Sequence, residues 1–191
     1  ASPSSVAGAP AASGGALYRI VSEQSEARYV AREKFVDRPF PNDAIGITKD
    51  VTGEIQLEQP NLLRGRILQL RVDLRTLASD SGQRDRIVRG EVLQTDQYPY
   101  AEFRSTEVAG PATYRPGEEA SFQVPGMMKI RDQERPLTWD VQARLDGDAL
   151  TGTGTASLKL SDFGIEPPRL SILTVEDAMR WEVRFSAERV P

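Results

Sequence analysis

Apolar and polar residues alternate along most of this chain. Ala27, Tyr29, Ala31, Glu33 and Phe35 fall on one side of the run Glu26 to Val36, and Arg28, Arg32 and Lys34 on the other. Period two over that length predicts a strand. A shorter strand precedes it at Leu17 to Val21. Val51, Gly53, Ile55 and Leu57 alternate in the same way, as do Leu68, Leu70 and Val72. The pattern is cleaner in the second half. Ala120 to Ile130, Leu137 to Leu145, Leu150 to Leu160 and Met179 to Ala187 each carry one apolar and one polar face. Pro125 marks an edge or bulge within its run. Asp146-Gly147 predicts a hairpin turn, because Gly accepts the positive φ such turns need. The segments 37–50 and 162–177 read as loops.

One stretch breaks the period. Residues 80–106 read as a capped helix, a short loop and a strand, with Asp80 as cap and Gln83 completing a capping box. Arg84, Asp85, Arg86 and Arg89 give the helix a charged face, and Ile87, Val88, Val92 and Leu93 an apolar one. Gly90 weakens it by about 1 kcal/mol, and Pro99 marks its end. Ala101 to Val108 follows as a strand, with Phe103 its clearest inward residue. A frail helix among strands needs a surface to lie on, and the open end of a barrel or sandwich supplies one.

About nine one-faced runs with tight turns define an all-β, antiparallel protein. Such a sheet must close or split into a sandwich. A closed barrel of about eight strands, with one helix in a crossover, removes the exposed edges. Many inward positions are small, among them Ala27, Ala31, Gly53, Gly126, Gly152, Gly154 and Ala156. They either leave a lumen open or mark bends in a filled barrel; the pattern alone supports both.

Composition narrows the chemistry. The chain has 191 residues, 27% charged and 39% hydrophobic, with a net charge of −4. That size suits one domain with a sizeable core, and an acidic balance argues against a nucleic-acid partner. Cys and His are both absent. Thiolate nucleophiles, Ser-His-Asp triads, disulfides and His or Cys metal sites are therefore excluded. No apolar run approaches the length of a membrane-spanning helix. Residues 1–16 are almost wholly Ala, Ser, Gly and Pro and predict a disordered tether ahead of a domain at 17–191. A tether of this kind fits an exported protein whose signal peptide or lipid anchor lay upstream.

Three motifs carry a family resemblance. The first is Arg84-Asp85 in the helix, then Tyr98-Pro99, then Phe103 and Ser105 on a strand. The second is the hairpin segment Gly126 to Pro136. The third is Ser161-Asp162-Phe163-Gly164-Ile165. Their order and spacing over roughly residues 17–190 resemble the YceI-like family, which is lipocalin-like and binds polyisoprenoid lipids. Glu33 stands near a position that is His in many members, and Ser161 replaces an Arg. The resemblance implies a lumen open to an apolar ligand, a periplasmic or secreted location, and a homodimer as one use of the apolar loops. Those loops hold Phe40, Ile45, Ile47, Ile165, Leu170, Ile172 and Leu173, which could equally form a mouth or lid.

The expected lining is Tyr29, Phe35, Leu70, Phe103, Met128, Trp139, Val141, Leu158, Trp181, Val183 and Phe185, each of which would otherwise be ordinary core. The ligand class is an elongated isoprenoid, quinone-like or fatty chain. Each buried CH₂ would contribute about 0.8 kcal/mol before costs. Glu33 faces inward by parity; we expect it at the rim in water, the alternatives being an inward Arg or a ligand head group. Arg84 and Asp85 are expected to fix the helix to the barrel. Three functions compete. A non-enzymatic lipid carrier or sequestering protein is favoured over an exported interaction module with a filled barrel. A carboxylate enzyme built on Glu33 lacks any supporting spacing. No cofactor or metal is expected.

Overall fold

The computed structural model describes residues 15–58, 65–108, 110 and 114–191. Within them the chain forms ten antiparallel strands. They are β1 (Gly15–Ile20), β2 (Glu26–Phe35), β3 (Asn42–Thr48), β4 (Val51–Glu58), β5 (Gly65–Asp73), β6 (Tyr100–Ser105), β7 (Glu119–Ile130), β8 (Gln133–Asp146), β9 (Ala149–Lys159) and β10 (Leu173–Arg189). The sheet order is β1-β4-β5-β6-β7-β8-β9-β10-β2-β3, and β1 also pairs with β10, which closes it.

Ten strands occupy eight positions around the barrel. Ile20 lies opposite Ala187 of β10 and Glu26 opposite Arg184, so β1 and β2 are one wall broken at Ser22–Gln24. β3 and β4 form the next wall, broken at Lys49 and Asp50, with Ala27 opposite Thr48 and Arg19 opposite Glu54. Past β5, Ala78 continues that third wall by exchanging backbone bonds of 2.9 and 3.0 Å with Ile47. An interior that holds one small ligand is what eight positions allow. The buried set is a single cluster inside the barrel and includes Tyr18, Val51, Phe103, Ile130, Trp139 and Trp181.

Several boundaries differ from those the alternation predicts. The expected loop 37–50 contains β3. Its inward residues are Ala44, Gly46 and Thr48, while Ile45 and Ile47 face out, so the usual hydropathy contrast is inverted. The last strand begins at Leu173 rather than Met179, because a bulge between Val175 and Met179 breaks the period. β1 begins at Gly15, and residues 1–14 of the expected tether lie outside the described residues. In β5 a register shift opposite Glu54 and Ile55 pairs Ile55 with Ile67 and leaves Leu68 as the extra residue.

The helix is also shorter. α1 spans Gly82–Ile87 and is capped by Ser81, whose Oγ accepts from Arg84 N at 3.3 Å; Asp80 instead pairs with the Arg84 guanidinium. A π-helical turn, Val88–Val92, follows and carries Gly90. Arg131, at the tip of the β7–β8 hairpin with φ 54°, donates to the carbonyls of Glu91 and Val92. The hairpin thus satisfies carbonyls left free at the end of the turn.

Candidate functional site

Among the described residues, two cavities in the barrel interior have no lining residue in common. The larger, about 310 Å³, lies beneath α1 and the π-helical turn. Its wall on β2 and β10 is a ladder of facing pairs: Phe35 with Leu173, Glu33 with Val175, Ala31 with Met179, and Tyr29 with Trp181. The ladder descends six residues from Phe35 to Tyr29, roughly 20 Å at ~3.3 Å per residue. Ile87, Val88, Val92 and Leu93 roof it, and Pro168, Leu170 and Ile172 flank it from the segment before β10. Its volume is at the lower end of the range of about 300–1,000 Å³ typical of small-molecule sites.

The smaller cavity, about 80 Å³, continues below. Ile20, Ile55, Leu57, Ile67, Phe103, Val124, Trp139 and Val183 are among its lining. Phe103 and Trp139 meet edge to face there with ring centroids 6.1 Å apart. The inner face is therefore not a solid core.

Neighbouring rings cover several of the inward glycines. A Cβ on Gly46 would lie 2.1 Å from the Tyr29 ring, and one on Gly126 would lie 2.5 Å from the Phe103 ring and 2.2 Å from the Arg104 carbonyl oxygen. Gly152 is covered likewise by Phe185, at 2.7 Å. Small inward residues do not simply leave space; at these positions a neighbouring ring lies over them.

Of the expected lining, Tyr29, Phe35 and Trp181 border the larger cavity. Leu70, Phe103, Trp139, Val141, Val183 and Phe185 border the smaller one. Met128 and Leu158 are buried at neither. The sequence reading did not assign a lining role to the helix face, to Ala31 and Ala44, or to Leu160, Val175 and Met179. The apolar face of residues 87–93 was the available signal for the roof.

Glu33 is not in water at the rim. It is 4% exposed and takes a two-pronged contact from Arg84, with Nε to Oε1 at 2.9 Å and Nη2 to Oε2 at 3.1 Å. Asn42 Nδ2 donates to the same carboxylate at 3.4 Å. An inward carboxylate is costly unless it is paired, and this pair ties α1 to β2. Those contacts raise the Arg84 pKa, first through Glu33 and then through Asp80, against the opposing effect of burial. Asp85 accepts from Ser79 N and Oγ at 2.9 and 2.7 Å. Arg84 and Asp85 thus hold the start of the helix from both sides.

Three lumenal donors have no hydrogen-bond partner among the described residues: Tyr29 Oη, Trp139 Nε1 and Trp181 Nε1. Burial pushes the Tyr29 phenol up to about 12, with Arg84 opposing and Asp85, Glu33 and Asp80 adding to the rise. Tyr29 is therefore a neutral donor at ordinary pH. Leaving such a group unpaired costs about 1–3 kcal/mol. No cluster of three or more carboxylates able to hold a metal ion occurs among the described residues, nor is any described helix long and apolar enough to cross a membrane.

A closed antiparallel barrel of eight positions, roofed by a short helix over an apolar cavity, places the chain among the lipocalin-like barrels. Solved structures share the fold. BcnA of Burkholderia cenocepacia superposes with a TM-score of 0.69 at 19% identity, covering 87% of this chain and 98% of its own. A polyisoprenoid binding domain from Saccharophagus degradans, implicated in plant cell wall breakdown, gives 0.66 at 14%, covering 91% and 98%. No curated protein matches in sequence. The family model for the YceI-like domain matches residues 18–187, and the chain belongs to that family.

Proposed function

We propose that this protein binds an elongated apolar lipid, an isoprenoid, quinone-like or fatty chain, in the barrel lumen. It acts as a non-enzymatic carrier or sequestering protein outside the cytoplasm. The observation that carries this reading is the cavity of about 310 Å³ under α1, walled by Tyr29, Phe35, Met179 and Trp181. Its charged lining residues, Glu33 and Arg84, neutralise each other, so burial of apolar surface dominates what it offers, at about 25 cal/mol per Å². The polyisoprenoid binding function named for the Saccharophagus degradans domain fits the same chemistry.

The test is native mass spectrometry of the purified protein, followed by solvent extraction and identification of what is released. A lipid in near-stoichiometric amount is expected. Protein that carries none, and takes up none from mixed isoprenoid and fatty-chain micelles, would sink the reading.

A second reading rests on exposed side chains. Val36 and Phe40 follow β2, Ile172 precedes β10, and all three are well exposed. Val36 N donates to Ile172 O at 3.0 Å, which joins the two segments at the mouth. A homodimer contact or an interaction surface would use this rim, and a membrane anchor upstream of residue 1 would hold the domain at a bilayer.

A further inference from the structure

Tyr29 and Trp181 face each other directly across β2 and β10. They form the innermost of the four pairs that wall the larger cavity. Each is more than nine-tenths buried, and neither Tyr29 Oη nor Trp181 Nε1 has a hydrogen-bond partner among the described residues. Buried polar atoms are paired in the great majority of proteins, and an exception calls for an explanation. Here two exceptions fall on paired strand positions at the floor of a cavity whose other walls are mostly apolar.

The two groups are alike chemically. An indole N–H can only donate. A phenol with its pKa raised to about 12 keeps its proton. Arg84, the one cation lining this cavity among the described residues, is already engaged by Glu33 and Asp80. The floor therefore presents neutral donors and no free positive charge. A phosphate or carboxylate seated there would be a buried anion without a counter-ion. A pure hydrocarbon would leave both donors unpaired. A site built to hydrogen-bond discriminates strongly against an analogue that cannot.

We infer that the larger cavity selects a lipid bearing a neutral hydrogen-bond acceptor, a carbonyl, ester or ether oxygen. That oxygen accepts at the floor from Trp181 Nε1, and Tyr29 Oη, whose ring lies over Gly46 on the β3 side of β2, supplies the second donor. The lipid enters polar end first, and its chain runs back along Met179 and Val175 towards Phe35 and Leu173. The inference rests on the lumenal lipid reading and adds the class of head group, its charge and its direction.

The test compares two isoprenoids with the same chain, farnesal with its aldehyde and farnesene without it. Affinities are measured by titration for the wild type and for the double variant Tyr29→Phe/Trp181→Phe, with folding checked by circular dichroism. The farnesal-to-farnesene affinity ratio is expected to fall at least tenfold in the variant, equivalent to about 1.4 kcal/mol. In wild-type NMR spectra the Trp181 indole proton is expected to move downfield with farnesal and not with farnesene. A ratio that is the same in both proteins, or an indole proton indifferent to farnesal, overturns the inference while leaving the lumenal reading standing. Failure of the folded wild type to bind either compound overturns the lumenal reading, and this inference with it.

Discussion

At the scale of single residues, the contact between Glu33 and Arg84 settles how the helix meets the barrel. Glu33 was legible as inward from parity alone, since it shares a face with Tyr29, Ala31 and Phe35. Its partner was not, because Arg84 lies 51 residues away and reaches it from another element. The cost of stranding a buried carboxylate makes a clear prediction. Arg84→Ala leaves Glu33 with only the Asn42 amide, and removing one member of a buried pair costs about 3–5 kcal/mol. Partial exposure of the Arg84 side chain, 19%, puts the expected loss at the lower end of that range. Urea unfolding should show a lower midpoint with an unchanged slope. A midpoint that does not move would mean the pair contributes no net stability. The rings over Gly46, Gly126 and Gly152 make the complementary point. The sequence showed small inward residues but could not say that a neighbouring ring would occupy the space they leave.

At the scale of elements, the strands with large inward and polar outward residues were legible, and β7, β8 and β9 follow the expected alternation closely. Elements were misplaced where the contrast inverts or slips. β3 buries Ala44 and Gly46 while exposing Ile45 and Ile47, and β10 loses its period at the bulge before Met179. That bulge lies beside the third motif. Asp177 accepts from Ser161 N at 2.8 Å and from Ser161 Oγ at 2.5 Å. Gly164 supplies a left-handed φ of 68° as the chain leaves the 3-10 turn Leu160–Phe163. The Ser161 hydroxyl bond is the main reason the Asp177 carboxyl is held below its ordinary value, and the backbone N–H of Ser161 adds to it. A depressed folded-state pKa stabilises the fold above the unfolded value, near ~3.9, and that stabilisation is lost as pH falls through the folded value. Ser161→Ala should therefore raise the Asp177 pKa and reduce the acid sensitivity that this carboxyl contributes below about pH 4. Carboxyl NMR titration of both proteins checks the shift; an Asp177 pKa that stays put would remove the hydroxyl from the account.

For the whole molecule, closure was legible because nine one-faced runs leave few other ways to bury so many strands. That ten strands fold into eight positions was not, since the breaks at Ser22–Gln24 and Lys49–Asp50 look in the sequence like ordinary connections. The mouth rim belongs to this scale too. Val36, Phe40 and Ile172 place apolar surface next to the cavity entrance, and surface of that kind commonly marks a contact site. If it joins two copies, sedimentation should report a concentration-dependent homodimer, and Phe40→Asp should weaken its dissociation constant by more than tenfold. A monomer at every concentration would restrict the rim to lipid entry or other partners.

The floor beneath Tyr29 and Trp181 acts as a ruler. Six residues of wall at ~3.3 Å each, roughly 20 Å measured along the strand, are the shelter on offer above that floor. A longer guest must leave its far end protruding past Phe35 and Leu173. That free end is a handle by which an acceptor could draw the cargo out while the wall stays zipped.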